Sequence, residues 1–364
     1  MARLSALMGR RHPVYARAAA WVARMALAHL VVVLLLASWS APAAAFEGTA
    51  AQVKRVAMIG FTVSDMERSV AFYERVLGFE KVAATEVTGS EYDTLSGVFA
   101  SNVRVAHMKL GEQIVELTQY ISPEGRPIPV PSNSNDLWFE HIAIVVSDME
   151  KAYETLRRHG VRQISPEPQT IPESNVPAAG IKAFKFHDPD NHDLELLWFP
   201  KDKGSAHWHR PTNRLFLGID HTAITISNTE QSLAFYRDLL GFKIAGGSLN
   251  IGITQERLDG VFNARVRVTA IAPETAPPHV EFLRYETPPG GRPMPRDTKA
   301  SDLWHWQTSL VVDDVAAAAK ALRAAGVQFV SPDVVDLRNP VLGFSRAVMI
   351  MDPDGHVMRL VQQR

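Results

Sequence analysis

Apolar and polar positions along this chain fall into an order that returns four times. Residues 56–63 form a short apolar run of strand length, followed by Ser64-Asp65 at a helix-cap position. A helical spacing continues to about Val76 and is closed by Gly78. The same grammar appears at residues 141–146, where Ser147-Asp148 precedes a helix over 149–159 that ends at Gly160. It appears again at 222–226 with Ser227-Asn228, and at 308–312 with Asp313-Asp314 and a helix closed by Gly326. Short alternating segments follow each helix, such as 103–108 and 113–120, and read as a small antiparallel set. The pattern predicts a β-α-β-β-β unit repeated four times.

The repeat is also literal. Ser69-Val-Ala-Phe-Tyr-Glu-Arg-Val-Leu-Gly-Phe79 returns as Ser232-Leu-Ala-Phe-Tyr-Arg-Asp-Leu-Leu-Gly-Phe242, and Leu95-Ser-Gly-Val-Phe99 as Leu258-Asp-Gly-Val-Phe262. Gly125-Arg-Pro-Ile-Pro129 matches Gly291-Arg-Pro-Met-Pro295, Asp136-Leu-Trp138 matches Asp302-Leu-Trp304, and Asp188-Pro-Asp190 matches Asp352-Pro-Asp354. The second half is therefore a copy of the first. Residues 205–216, including His207-Trp-His209, read as a linker between halves, with both histidines solvated.

The first 45 residues follow none of this grammar. Arginines at 3, 10, 11, 17 and 24 precede an apolar run over 25–37 and a small-residue end at Ala43-Ala44-Ala45, the order of a secretory signal cut before Phe46. The apolar run is shorter than the ~20 residues that span a bilayer, which argues against a retained anchor. The expectation is an exported, periplasmic or secreted protein with no membrane contact after cleavage. Arg10-Arg11 hints at twin-arginine export, although the residues after the pair match such a signal poorly.

Charge and composition narrow the chemistry. The chain has 38 Lys+Arg against 39 Asp+Glu, and the five N-terminal arginines stand without an acid, which leaves a mildly acidic body with no footprint for nucleic acid. The absence of cysteine removes disulfides, thiolate metal sites and cysteine nucleophiles together. No P-loop, G-x-G-x-x-G after a strand, G-x-S-x-G or H-E-x-x-H is present.

The strand, S/N-D cap, S-x-x-F-Y-x-x-x-L-G-F helix and closing D-P-D-[GN]-H hairpin together resemble the vicinal oxygen chelate superfamily of glyoxalase, bleomycin-resistance and extradiol dioxygenase-like proteins. The resemblance implies an α+β fold in which four modules pair into two half-barrel domains, over 53–204 and 217–364. It also implies two clefts. Each would draw ligands from the first strand of a module, seven residues before the cap, and from its last strand. Those positions are Met58, His141, His221 and Gln307 on first strands, and Glu116, Glu195, Glu281 and Arg359 on last strands.

With neighbouring modules paired, the first cleft holds Glu116, His141 and Glu195 as metal ligands and Met58 as a vacant corner. The second holds His221, Glu281 and Gln307, with Arg359 paired to Glu281 in place of a metal. One divalent ion (Zn, Fe, Mn, Ni or Co) is expected in the first cleft. Carboxylates between apolar strand neighbours, as in Ile-Val-Glu116-Leu and His-Val-Glu281-Phe, are costly to bury without such a partner. Tyr120 shares a strand face with Glu116 and joins Glu116 and Glu195 as a candidate proton-moving group. The resemblance implies lyase or isomerase chemistry on a small molecule through a metal-chelated enediolate or enolate. The alternatives are an Fe(II) ring-cleaving dioxygenase, which Met58 disfavours, and a metal-free binding protein.

Overall fold

The computed structural model describes residues 49–363, so the expected leader and its cleavage point lie outside the described residues. Four modules follow in order. The first contains β1 (Arg55–Thr62), α1 (Met66–Leu77), β2 (Glu80–Thr88), α2 (Ser90–Ser96), β3 (Asn102–Leu110) and β4 (Gln113–Ser122). The second contains β5 (Glu140–Val146), α3 (Met149–Arg158), β6 (Gln169–Thr170), β7 (Lys182–His187) and β8 (Asp193–Trp198). The third contains β9 (Phe216–Thr225), α4 (Thr229–Leu233, continued by a π-helical turn Ala234–Leu239), β10 (Lys243–Ile251), α5 (Ile253–Asp259), β11 (Arg265–Ala272) and β12 (His279–Thr287). The fourth contains β13 (Trp306–Val311), α6 (Val315–Ala324), β14 (Gln328–Phe329), β15 (Val335–Asp336), β16 (Arg346–Met351) and β17 (Val357–Gln362). The main helices start where the caps predict, because Asp65, Asp148, Asn228 and Asp314 each accept backbone N–H groups of the first turn.

The modules do not pair as neighbours in sequence. One sheet runs β14-β16-β17-β13-β1-β4-β3-β2 and joins the first module to the fourth; the other runs β10-β11-β12-β9-β5-β8-β7-β6 and joins the third to the second. Antiparallel contact between β1 and β13 closes the first pair, and antiparallel contact between β5 and β9 closes the second. The expected half-barrels over 53–204 and 217–364 are thus corrected in their composition. Each half-barrel takes one module from each half of the chain.

The repeated G-R-P and D-L-W motifs make this exchange. Arg126 of the first module donates through Nε (3.0 Å) and Nη2 (2.7 Å) to Asp302, which leads into the fourth module. Its guanidinium stacks 4.7 Å from the Trp304 ring. Arg292 and Asp136 repeat the clasp between the third and second modules, through Nε at 3.0 Å and Nη2 at 2.6 Å, with Arg292 over Trp138 at 4.5 Å. The chains touch backbone to backbone here. A Cβ on Gly125 would lie 1.6 Å from the Ser301 carbonyl oxygen, and one on Gly291 would lie 1.5 Å from that of Asn135.

Strand alternation then sorts side chains onto two faces. Ile59, Phe61, Leu117, Ile142, Ile144, Leu194, Leu196, Phe282 and Leu360 point into one apolar core that all four modules share. Tyr73 and Tyr236 of the F-Y helices donate to Asp188 and Asp352 of the D-P-D turns. His192 and His356 bond those same aspartates through Nδ1, in the turn-stabilising role that their position suggests. The intervening residues on the strands face the two clefts.

Candidate metal centre

In the half-barrel of the second and third modules, four potential ligands meet. His141 on β5 and His221 on β9 are brought together by the antiparallel register His141↔Ala223 and Ala143↔His221, with ring centroids 5.6 Å apart. Glu195 on β8 pairs in register with Ala143, and Glu281 on β12 with Ala223, so each carboxylate flanks the imidazoles from an adjoining strand. Glu195 Oε2 lies 3.3 Å from His141 Nε2 and 3.8 Å from His221 Nε2, while Glu281 Oε2 lies 3.5 Å from His221 Nε2. Both imidazoles are buried, and among the described residues His141 Nδ1 and Nε2 and His221 Nε2 have no hydrogen-bond partner. Donor atoms of His141, Glu195 and His221 lie within 4.8 Å of one another, a spacing that one ion can span. Orphaned buried nitrogens beside two carboxylates form a donor set that fits a divalent first-row ion.

Supporting groups fix this set. Asp220 Oδ2 sits 3.1 Å from His221 Nδ1, which leaves Nε2 as the ligating nitrogen. Trp208 of a 3-10 turn (Ala206–His209) donates to Asp220 at 2.7 Å, so the linker is part of the site's wall. His209 bonds the Lys203 carbonyl, and neither His207 nor His209 joins a ligating group. His279 Nε2 lies 3.4 Å from Glu281 Oε1.

Neighbouring charges decide how these buried groups titrate. Burial opposes the imidazolium of His221, yet Glu281, Asp220 and Glu195 outweigh it and push the group up to about 9. Burial likewise opposes the Glu195 carboxylate, but His141, Lys185 and His221 hold it at about 2. Burial, aided by Lys185, keeps His141 below its ordinary value. A cavity of about 130 Å³ opens on these groups, lined further by Lys185, Ser248, Asn250 and Gln255. A larger hollow of about 460 Å³ between α1 and the β2–β3 hairpin has no converging ligands among the described residues.

The other cleft holds the remaining candidates. Arg359 Nη1 and Gln307 Nε2 each donate to Glu116 Oε1 at 2.8 Å, and His107 Nε2 lies 3.3 Å from Oε2. Burial would raise the Glu116 carboxyl, but the guanidinium and His107 bring it down to about 2. Arg359 Nε donates to Ser309 Oγ at 2.9 Å, and its guanidinium lies 4.7 Å from the Phe344 ring. Met58 packs in an apolar cluster with Tyr92, Leu95, Tyr120, Leu342, Phe344 and Met349 that fills this half-barrel.

Four site expectations are corrected by this arrangement. Glu116 does not join His141 and Glu195, because its module pairs with the fourth. His221 and Glu281 enter the ligand cluster, and Gln307 leaves their company to bond Glu116. Arg359 does neutralise a buried glutamate, but the glutamate is Glu116. Tyr120 lies in the apolar cluster, where burial pushes its phenol up, away from the metal centre. The sequence reading missed Asp220, His279, Lys185 and Asp259. Two of these carry a signal in the chain. Lys185 stands between Phe184 and Phe186 on a strand, and Asp259 replaces the repeat's Ser96.

Comparison with known proteins agrees with this architecture. A 148-residue segment covering 39% of the chain is 33% identical to 78% of a 2-epi-5-epi-valiolone epimerase from an Actinomyces species. A 190-residue segment, 50% of the chain, is 28% identical to 57% of lactoylglutathione lyase from Schizosaccharomyces pombe. In fold, the structure superposes on glyoxalase I from Zea mays with a TM-score of 0.54 at 16% identity, over 85% of this chain and 92% of that one. The family model of the Glyoxalase/Bleomycin resistance protein/Dioxygenase superfamily matches residues 55–196 and again 218–360, and the chain belongs to that superfamily.

Proposed function

We propose that His141, Glu195, His221 and Glu281 hold one divalent metal ion and that the site performs lyase or isomerase chemistry on a small substrate with neighbouring oxygens. The observation that carries this reading is the convergence of orphaned, buried imidazole nitrogens and two carboxylates on a cavity wall. A bound divalent ion would supply Lewis acidity, which makes a proton next to a carbonyl removable. Orientation and proton transfer fall to the chain. Glu281 is the better proton carrier, because its side chain is 20% exposed against 7% for Glu195 and it already rests against His279. Similarity to an epimerase and to lactoylglutathione lyase supports this reaction class.

The test is elemental analysis of the purified protein beside His141→Ala and His221→Ala, followed by deuterium exchange into α-hydroxy carbonyl compounds. About one ion per chain, lost in both variants, is the expected result. Equal metal content in the parent and both variants overturns the site, and no metal after reconstitution supports the metal-free binding alternative. Dioxygenase chemistry is favoured by one observation: two imidazoles and a carboxylate do share the site, since Met58 lies elsewhere. Oxygen consumption with catechols in the Fe(II)-loaded protein would establish it. Export belongs to the same proposal and rests on the leader pattern; N-terminal sequencing of exported protein should begin Phe-Glu-Gly-Thr.

A further inference from the structure

Beside the metal centre lies a second set of buried charges. Lys185, on β7 directly across from Glu195, reaches to Asp259 at the end of α5, with Nζ 2.7 Å from Oδ1. The side chains are 3% and 0% exposed, and the bridge ties the second module to the third across the cleft. Asp259 is well satisfied: its Oδ2 also accepts from Tyr285 Oη at 2.6 Å and from Gln255 Nε2 at 2.6 Å. Lys185 is not. Among the described residues its ammonium has one hydrogen-bond acceptor, Asp259, and it lines the cavity that opens on the metal centre. An ammonium carries three donors, and a buried donor without a partner is costly. At the positions that match Lys185 in register, the other modules carry His107, Ala270 and Met349.

We infer that Lys185 is a second anchor for the substrate, holding a hydroxyl or carbonyl oxygen of a small, uncharged, polyhydroxylated carbonyl compound. This rests on the metal-centred reading above and adds the substrate class. Among the described residues Lys185 is the sole Lys or Arg lining the cavity, and Asp259 already balances its charge. The lining acids are Glu195, Glu281 and Asp220, of which a divalent ion offsets two. No positive charge is left over for an anionic substrate. The remaining polar lining is Ser248, Asn250 and Gln255, groups suited to hydroxyls, beside apolar walls such as Ile171, Leu197 and Phe199 suited to a carbon skeleton.

The experiment is isothermal titration of the metal-loaded full chain with 2-keto-myo-inositol, with 2-hydroxycyclohexanone, which lacks the distal hydroxyls, and with the anionic S-hexylglutathione. Keto-inositol should bind the parent at least about tenfold tighter than either other probe, the worth of one hydrogen bond to a charged donor. The Lys185→Met/Asp259→Ser variant, which imports the residues of the apolar half-barrel, should keep its metal and lose that tenfold. Asp259→Asn, which keeps the ammonium, should still bind keto-inositol. Keto-inositol binding that is absent in the parent, or equal in the metal-loaded double variant, overturns the inference, as does tighter binding of S-hexylglutathione. Should the double variant not fold, the parent's discrimination between the two ketones decides. Loss of metal from the parent itself would count against the metal centre, and metal analysis of the same samples separates the two failures.

Discussion

Glu195 and Glu281 face His141 and His221 in one half-barrel, while the matching positions of the other carry Arg359 and Glu116 beside Gln307 and Met58. Both arrangements answer one physical demand, because a carboxylate turned into a cleft needs a positive partner. The guanidinium meets it permanently and within the covalent chain. The paired imidazoles would meet it, on the proposed reading, by holding an exchangeable ion, with room left for a ligand. The surroundings follow suit: Phe344, Leu342 and Met349 pack the Arg359 cleft, whereas about 130 Å³ remains open beside His141.

The comparison breaks most visibly at the ligands. Loss of a mere supporting partner costs ~10–100-fold in metal affinity, so His221→Ala should cost more than that. Glu116→Gln should leave metal binding unchanged. Metal titration reads both, and a loss of metal in Glu116→Gln would show that the clefts are not specialised as described.

The next effect concerns the salt-bridged cleft. Arg359→Met leaves the buried Glu116 without its permanent counter-charge, though Gln307 and His107 remain beside it, which should cost up to ~3–5 kcal/mol of stability. The double variant Glu116→Gln/Arg359→Met should recover most of that in denaturant unfolding. A single variant as stable as the parent would mean that the pair is dispensable.

The clasps should separate the half-barrels. Asp136→Ala and Asp302→Ala each remove charge-assisted bonds worth ~1.5–3 kcal/mol. Asp136 closes the half-barrel of His141 and His221, so on the proposed reading only its loss should also weaken metal binding. Equal metal affinity in the two variants would uncouple the clasp from the site.

Acid should act gradually on the Arg359 cleft. Glu116 is held at about 2 against an ordinary 4.5, so it binds fewer protons folded than unfolded. Its stabilisation is complete above 4.5 and disappears as pH falls through about 2. The double variant Glu116→Gln/Arg359→Met should flatten that limb of the stability profile, and an unchanged slope would remove Glu116 as its source.

Much of this was legible in the chain. The four caps, the F-Y helices and the D-P-D turns are local signals, and each structure they predict depends on residues within a few positions of one another. The four proposed ligands were also legible as strand positions, but through the family resemblance, which assigns first- and last-strand positions without knowledge of partners. Lys185 and Asp259 were harder to see, because their pairing spans 74 residues and neither stands in a ligand position.

What the chain's order left open was which modules share a sheet. The antiparallel edges β1–β13 and β5–β9 join strands that share an apolar pattern in every module, so strand pattern alone suits either pairing. The choice lies in contacts between distant segments, where Arg126 meets Asp302, Arg292 meets Asp136, and two glycines let backbones touch. The repeated motifs were visible along the chain, but their partnership was not, because a salt bridge across 176 or 156 residues has no local periodicity. That single choice moved Glu116 to Arg359 and gave His141 its second imidazole.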